Sequence, residues 1–241
     1  MGDPHRTPRE ARASRGPRPG PGPRRHVMGS GPALAGQTLL VIGGSSGIGL
    51  ETARLARREG ARVIVVARDA QRVQRAGLEI GGSIAAFDAT DFKRLSEFFH
   101  DLGTELDHVF LAAPSSRRVP LAPFDVEDAR RAVEGHLLLP LQLATDSANT
   151  VRPGGTLLLT GCSGGRGSAA GPPFAAAITA ALSMLTKSLA SELAPIRVNM
   201  VAAGFVETPA DIAALAIHVM TNTAVTGSTF EIDGARRIVA V

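Results

Sequence analysis

From Gln37 onward, short runs of consecutive apolar residues alternate with longer stretches in which apolar positions recur every three or four residues. The runs suit strands buried on both faces, and the longer period suits helices covering a sheet. Strands are predicted over Thr38–Ile42, Arg62–Ala67, Ser83–Phe87, His108–Ala112, Thr156–Thr160, Arg197–Val201 and Ser228–Ile232. Between the first two, Ile48, Thr52, Leu55 and Ala56 share one helical face, and Gly60 follows where a left-handed C-cap is wanted. Further helices are predicted over Ala70–Ala76, Phe92–Leu102, Val126–Thr150, Phe174–Leu193 and Ala210–Met220. Strands and helices in alternation imply an α/β fold with one doubly wound parallel sheet of seven strands between two helical layers.

The first 35 residues lack this pattern. They hold seven of the sixteen prolines and no aromatic residue, and are read as a disordered basic tail ahead of a domain over residues 36–241. Seven arginines against Asp3 and Glu10 give the tail +5, which leaves −1 of the chain's +4 for the rest. A nearly neutral domain argues against a nucleic-acid surface. Proline and glycine every few residues preclude an amphipathic transit helix, and no run of eighteen apolar residues predicts a membrane span. The single cysteine, Cys162, excludes an internal disulfide and fits a reducing compartment, so a cytoplasmic location is expected. No metal site is assigned.

Leu39–Ile42 runs into Gly43-Gly44-Ser45-Ser46-Gly47-Ile48-Gly49 and then into an amphipathic helix. Glycines at such a strand-to-helix turn let the backbone approach a diphosphate, while the first helical N–H groups point at it. The second strand ends Ala67-Arg68-Asp69. An acidic side chain at the tip would accept from a ribose 2′-hydroxyl, whereas an arginine just beyond pairs with a 2′-phosphate, so NADP(H) is expected over NAD(H). The alternative leaves Arg68 as a solvated charge and Asp69 as the N-cap of the next helix.

Residues 36–241 resemble the short-chain dehydrogenase/reductase family, built on one Rossmann-like domain. Its spaced glycine motif is matched by Gly43, Gly47 and Gly49, with Ile42 where the family usually has threonine. Its adenine-contacting Asp-Val pair is matched by Asp88-Ala89, and its Asn-Pro-Gly-Thr region by Asn199, Gly204 and Thr208, with Ala203 in place of proline. The ending Val225–Gly234 is similar to the family's last strand. The resemblance implies a nicotinamide cofactor held by Gly43, Ser45, Ser46, Gly47, Ile48, Gly49, Arg68, Asp88, Ala89, Ala112, Gly204, Val206 and Thr208.

The same resemblance places the family's catalytic serine, tyrosine, lysine and asparagine at Cys162, Ala175, Thr179 and His136. All four are changed, and no tyrosine or tryptophan occurs anywhere in the chain, so the missing phenol does not depend on alignment. The two lysines, Lys93 and Lys187, fall elsewhere. Weak replacements are Cys162 as nucleophile with His136 as base, or Ser163 in the serine role; the plain alternatives are a buried cysteine and a hydrogen-bonded helical histidine. His108 reads as a structural strand residue, and His100 and His218 as helix-surface residues. The family's substrate lid after Thr208 is shortened, since Thr208-Pro209-Ala210-Asp211 leads at once into Ile212–Ala216.

Three functions remain open. One is redox chemistry on a small molecule with altered residues; another is a non-redox cyclase or isomerase using the cleft; the third is a non-catalytic nucleotide-binding or scaffold protein. The family's assembly through its two long helices implies a homodimer or homotetramer through residues 126–150 and 174–193. The apolar runs Leu137–Leu139 and Ala180–Leu182 lie there, with Leu141, Met184, Leu185 and Leu189.

Overall fold

The computed structural model describes residues 32–112, 124–162, 173–204 and 208–232, apart from the side chain of Cys162. Seven strands, β1 (Thr38–Ile42), β2 (Arg62–Ala67), β3 (Ser83–Ala86), β4 (Leu106–Leu111), β5 (Val151–Cys162), β6 (Arg197–Ala203) and β7 (Thr229–Ile232), form one sheet in the order β3-β2-β1-β4-β5-β6-β7. Every pairing is parallel. Alternate residues feed two cores. Leu39 and Val41 pack with α1 (Gly47–Arg58), α2 (Ala70–Ile80) and α7 (Pro209–Thr221). Leu40 and Ile42 pack with α3 (Phe92–Asp101), α5 (Leu139–Ser147) and α6 (Pro173–Glu192). The order reverses between β1 and β4, a switch point that opens a crevice beyond the carboxyl ends of the two strands.

The chain is packed against the domain from just before residue 36. Leu34 is fully buried and its N–H donates to the Glu59 carbonyl at 2.9 Å. Gly60, at φ +85°, ends α1 in the predicted left-handed conformation.

The helix predicted over 126–150 is interrupted. It comprises α4 (Val126–Val133), a π-helical turn over Glu134–Leu138, and α5, which ends at Ser147. The physical reason is Pro140: without an N–H it cannot bond the carbonyl four residues back, and its ring crowds that carbonyl. The ladder widens just before it, where the Leu139 N–H donates to Glu134, five residues back.

The broad apolar faces predicted on these helices are only partly available to a partner. Leu139, Leu182 and Leu189 belong to the core, whereas Leu138, Leu141 and Met184 are exposed. By length and apolarity α6 could cross a membrane, yet its Thr179, Leu182, Thr186, Leu189 and Ala190 are buried against the rest of the domain.

Buried polar groups hold the amino edge of the sheet, opposite the crevice. The Arg197 guanidinium, 7% exposed, donates to the carbonyls of Val219 (3.0 Å), Asn222 (2.9 Å) and Val225 (3.3 Å), and also to Met220 and the Thr156 hydroxyl. It thereby places positive charge at the carboxyl end of α7, where the helix dipole is negative. Beside it, Asp107 accepts from the Thr38 N–H at 2.7 Å and pairs with Arg152 at 3.1 Å. His108 Nε2 lies 2.6 Å from Gln37 Oε1, while its Nδ1 is buried with no partner among the described residues. His108 is thus structural, and His100 and His218 lie on helix surfaces as predicted.

Two outcomes follow at this edge. Arg197→Lys replaces a fork of donors with one ammonium, leaves several buried carbonyls unmet, and should cost about 3 kcal/mol in urea unfolding. Burial depresses the His108 pKa from 6.5 to about 4. Because the folded state resists this proton, stability is full above pH 6.5 and falls as pH drops towards 4, by on the order of 3 kcal/mol in total. A His108→Gln variant should lose that part of the pH dependence when unfolding is followed at pH 7 and pH 4.5.

Candidate functional site

The glycine turn after β1 sits at the switch point and is held by its neighbours. The Gly43 N–H donates to Val66 at the end of β2 (2.8 Å), and the Ala112 N–H donates to Ile42 (2.9 Å). Gly43 has φ +82°, and a Cβ there would lie 2.6 Å from the Ala112 carbonyl oxygen. A Cβ on Gly49 would lie 2.3 Å from the Gly43 carbonyl oxygen, so α1 and the turn meet backbone to backbone. Gly47 differs. At φ +54° its added Cβ would meet nothing within 4 Å, so that glycine faces open space, as close approach of a ligand requires.

The start of α1 is prepared for an anion. Asp69, Asp91 and Asp125 cap α2, α3 and α4 by accepting from backbone N–H groups. Ser46, the N-cap of α1, makes no side-chain capping bond, and the first turn carries no acid. The donors of Gly47, Ile48 and Gly49 are therefore available where the helix dipole is positive. A Rossmann-type cofactor fits this end: the glycine cradle and Ile48 would hold its diphosphate, with Ser45 and Ser46 beside it.

The other expected cofactor residues gather along the carboxyl edge. Arg68 follows β2, Asp88 and Ala89 follow β3, Ala112 follows β4, and Gly204 and Thr208 follow β6. Arg68 is exposed and 3.9 Å from Asp88, whose Oδ1 accepts from the N–H and hydroxyl of Thr90. Asp69 serves as the N-cap, and the Arg72 N–H holds its carboxyl below the usual range. The Asp69 cap and an exposed Arg68, 3.9 Å from Asp88, thus coexist. The Gly204 N–H donates to Ile232 (2.8 Å), and the Thr208 hydroxyl to Asp211 (3.0 Å). Asn199 is fully buried; it donates to Val225 and accepts from Ser228, so it fastens the approach to β7. Val206 lies outside the described residues.

The positions that the resemblance sets on the reaction side hold Cys162, Ala175, Thr179 and His136. Ala175 and Thr179 lie one turn apart on α6, and the Thr179 hydroxyl donates to the Ala175 carbonyl at 2.9 Å. That hydroxyl is 4% exposed and turned into its own helix. His136 sits in the π-turn, which packs against α6. Burial lowers its pKa below 6.5, so at neutral pH it can accept a proton but carries no imidazolium proton to donate. Cys162 ends β5 opposite Ala203. Its side chain and Ser163 lie outside the described residues. α7 begins at Pro209, directly after Thr208, with no lid segment between them.

One feature escaped the reading of the sequence: a cleft of about 280 Å³ beside the glycine turn, lined by Ser45, Ser46, Leu50, Arg72, Arg75, Ala76 and Glu79. The available signal was the i, i+3 spacing of Arg72 and Arg75, which puts both on one side of the helix after β2.

Comparisons with known proteins agree with this geometry. A family model described as Enoyl-(Acyl carrier protein) reductase matches residues 42–235. The chain is 31% identical over 189 residues to the short-chain dehydrogenase/reductase ATR9 of Stachybotrys chlorohalonatus, covering 72% of this chain and 75% of that one. It is 32% identical over 177 residues to the human 3-oxoacyl-[acyl-carrier-protein] reductase, covering 70% and 75%. A solved dehydrogenase/reductase from Sinorhizobium meliloti superposes with a TM-score of 0.76 at 28% identity, over 83% of this chain and 95% of its own. The glycine turn at the switch point and the match along most of the sheet identify the chain as a member of the short-chain dehydrogenase/reductase family, oxidoreductases that bind a nicotinamide cofactor.

Proposed function

We propose that this protein binds NADP(H), in preference to NAD(H), and holds it without the proton delivery that ordinary carbonyl reduction needs. The observation that carries the reading is the contrast between the two ends of the crevice. At the diphosphate end, uncapped N–H groups, a glycine cradle and basic side chains are all present. At the other end, Ala175 has no proton to give and the Thr179 hydroxyl is engaged with its own helix.

A bound nicotinamide dinucleotide supplies a hydride; the protein's part is to orient it and to manage the proton at the substrate oxygen. Gly43, Gly47, Gly49 and Ser45 fit the first task. For the second, His136 remains as a neutral acceptor, with Cys162 and Ser163 near the end of β5. Loss of a general acid typically lowers rate by a factor of about a hundred to ten thousand. An α7 that starts at once after Thr208 contributes no lid to exclude water. These features favour a nucleotide-binding role over cyclase, isomerase or reductase chemistry on a small-molecule substrate. The single cysteine supports a reducing, cytoplasmic setting.

Calorimetric titration of the full chain should show NADPH binding at least about tenfold tighter than NADH, the gain expected from one charge-assisted hydrogen bond. Carbonyl-dependent oxidation of NADPH should stay at background. Gly47→Ala should keep the fold at a cost of about 1 kcal/mol, for a left-handed φ, yet weaken NADPH binding sharply. Heat from neither nucleotide at millimolar concentration would overturn the proposal.

A second copy of the chain is the proposed occupant of the exposed apolar residues Leu138, Leu141 and Met184. They lie on the two helices through which the family associates, and charged residues are scarce along α6, where Lys187 and Glu192 stand alone. Light scattering should give a dimer or tetramer, and Leu141→Glu with Met184→Glu should shift it to monomer.

A further inference from the structure

We infer that the amino edge of the sheet carries an acid-operated latch: a proton taken up at His108 Nδ1 frees the carboxyl turn of α7 from the Arg197 guanidinium and opens residues 218–228 as a local unit, while the central strands stay paired.

The latch is built from one row of side chains. His108 lies opposite Thr156, and Thr156 opposite Arg197, in the registers of β4 with β5 and of β5 with β6. Alternation puts all three on the face that also carries Phe110, Leu158 and Val201, which pack with Ile217, Val219 and Met220 of α7. The Arg197 guanidinium donates to the Thr156 hydroxyl and gathers the carbonyls of Val219, Met220, Asn222 and Val225. Residues 222–228 are tied to β6 through Val198 and Asn199: the Gly227 N–H donates to the Val198 carbonyl (2.7 Å), and Asn199 holds Val225 and Ser228. No strand runs through them, so they can open without unpairing the sheet.

The His108 ring has no place for a second proton. Nε2 lies 2.6 Å from the Gln37 side-chain oxygen, an acceptor, so Nε2 keeps the hydrogen of the neutral imidazole and Nδ1 the lone pair. Nδ1 is buried with no partner among the described residues, and the residue is 4% exposed. A proton there is a buried donor without an acceptor, on a cation that faces Arg197 across Thr156. Water supplies the acceptor once the α7 turn lifts. The neighbouring charges work the same way. Arg197 of β6 and Arg152 of β5 oppose the charged ring, and Asp107, which favours it, is engaged by the Thr38 N–H and Arg152. From β1 comes the neutral Gln37. On the covering helices Arg57, Arg58 and His218 are exposed, and Glu59 accepts from the Ala33 N–H.

The test is amide hydrogen exchange on the full chain at pH 7 and pH 4.5 in low concentrations of urea, with rates corrected for the intrinsic effect of pH. His108 has a pKa of about 4 when closed and 6.5 when open to water, so the opening equilibrium of residues 218–228 should rise on the order of fiftyfold between the two pH values. Little surface is uncovered, so at pH 4.5 these amides should exchange with a shallow dependence on urea, whereas β1 and β4 keep the steep dependence of global unfolding. His108→Gln retains a donor towards Gln37 and should abolish the acid response. If residues 218–228 follow the same steep dependence as β1 and β4 at pH 4.5, or if His108→Gln opens in acid as the parent does, the inference falls. Should that variant not fold, the two sets of amides in the unsubstituted chain decide.

Discussion

The backbone contact between the glycine turn and its neighbours constrains everything at the carboxyl edge. Gly43 is wedged beneath the Ala112 carbonyl, and Gly49 lies against the Gly43 carbonyl, with no room for a side chain at either position. This draws the amino end of α1 into the crevice between β1 and β4, where the sheet order reverses. Ser46 does not cap that end, so its first donors have no side-chain cap among the described residues. The helix starts described after β2, β3 and β4 are closed by aspartates, whereas those of α1 and α7 carry no side-chain cap.

The two edges of the sheet divide stability from binding. At the amino edge, Arg197 donates to carbonyls at the end of α7, Asp107 accepts from the Thr38 N–H, and burial disfavours the charged form of His108. A buried cation such as Arg197 is tolerated because carbonyls of α7 and of the following turn surround it. At the carboxyl edge Arg68, Asp69, Asp88 and Thr208 make only exposed contacts with near neighbours. On α6 the Thr179 hydroxyl is satisfied by the Ala175 carbonyl within the helix itself.

The interruption between α4 and α5 links sequence to site in another way. Pro140 withdraws one donor from the ladder and widens the turn that carries His136. A residue that the family resemblance sets at the proton relay is thereby held by a local defect in a helix packed against α6. Burial then keeps its imidazole uncharged, which removes it as a proton donor at neutral pH.

Strand positions, their parallel order and the glycine cradle were legible in the chain alone, because apolar period and turn chemistry are local properties. So was the absence of a phenol, which is a matter of composition. The packing of Leu34 was not legible, because it follows from contact with the α1 end at Glu59, far along the chain. The continuous helix over 126–150 failed because periodicity registers side chains, not the missing backbone donor at Pro140. Tertiary structure alone decided that the Thr179 hydroxyl turns inward, that Asp69 caps while Arg68 stays exposed beside Asp88, and that Arg72 and Arg75 meet Ser45 and Ser46 at one cleft. Each depends on where separate elements come to lie, and that is set by how the two helical layers pack on the twisted sheet.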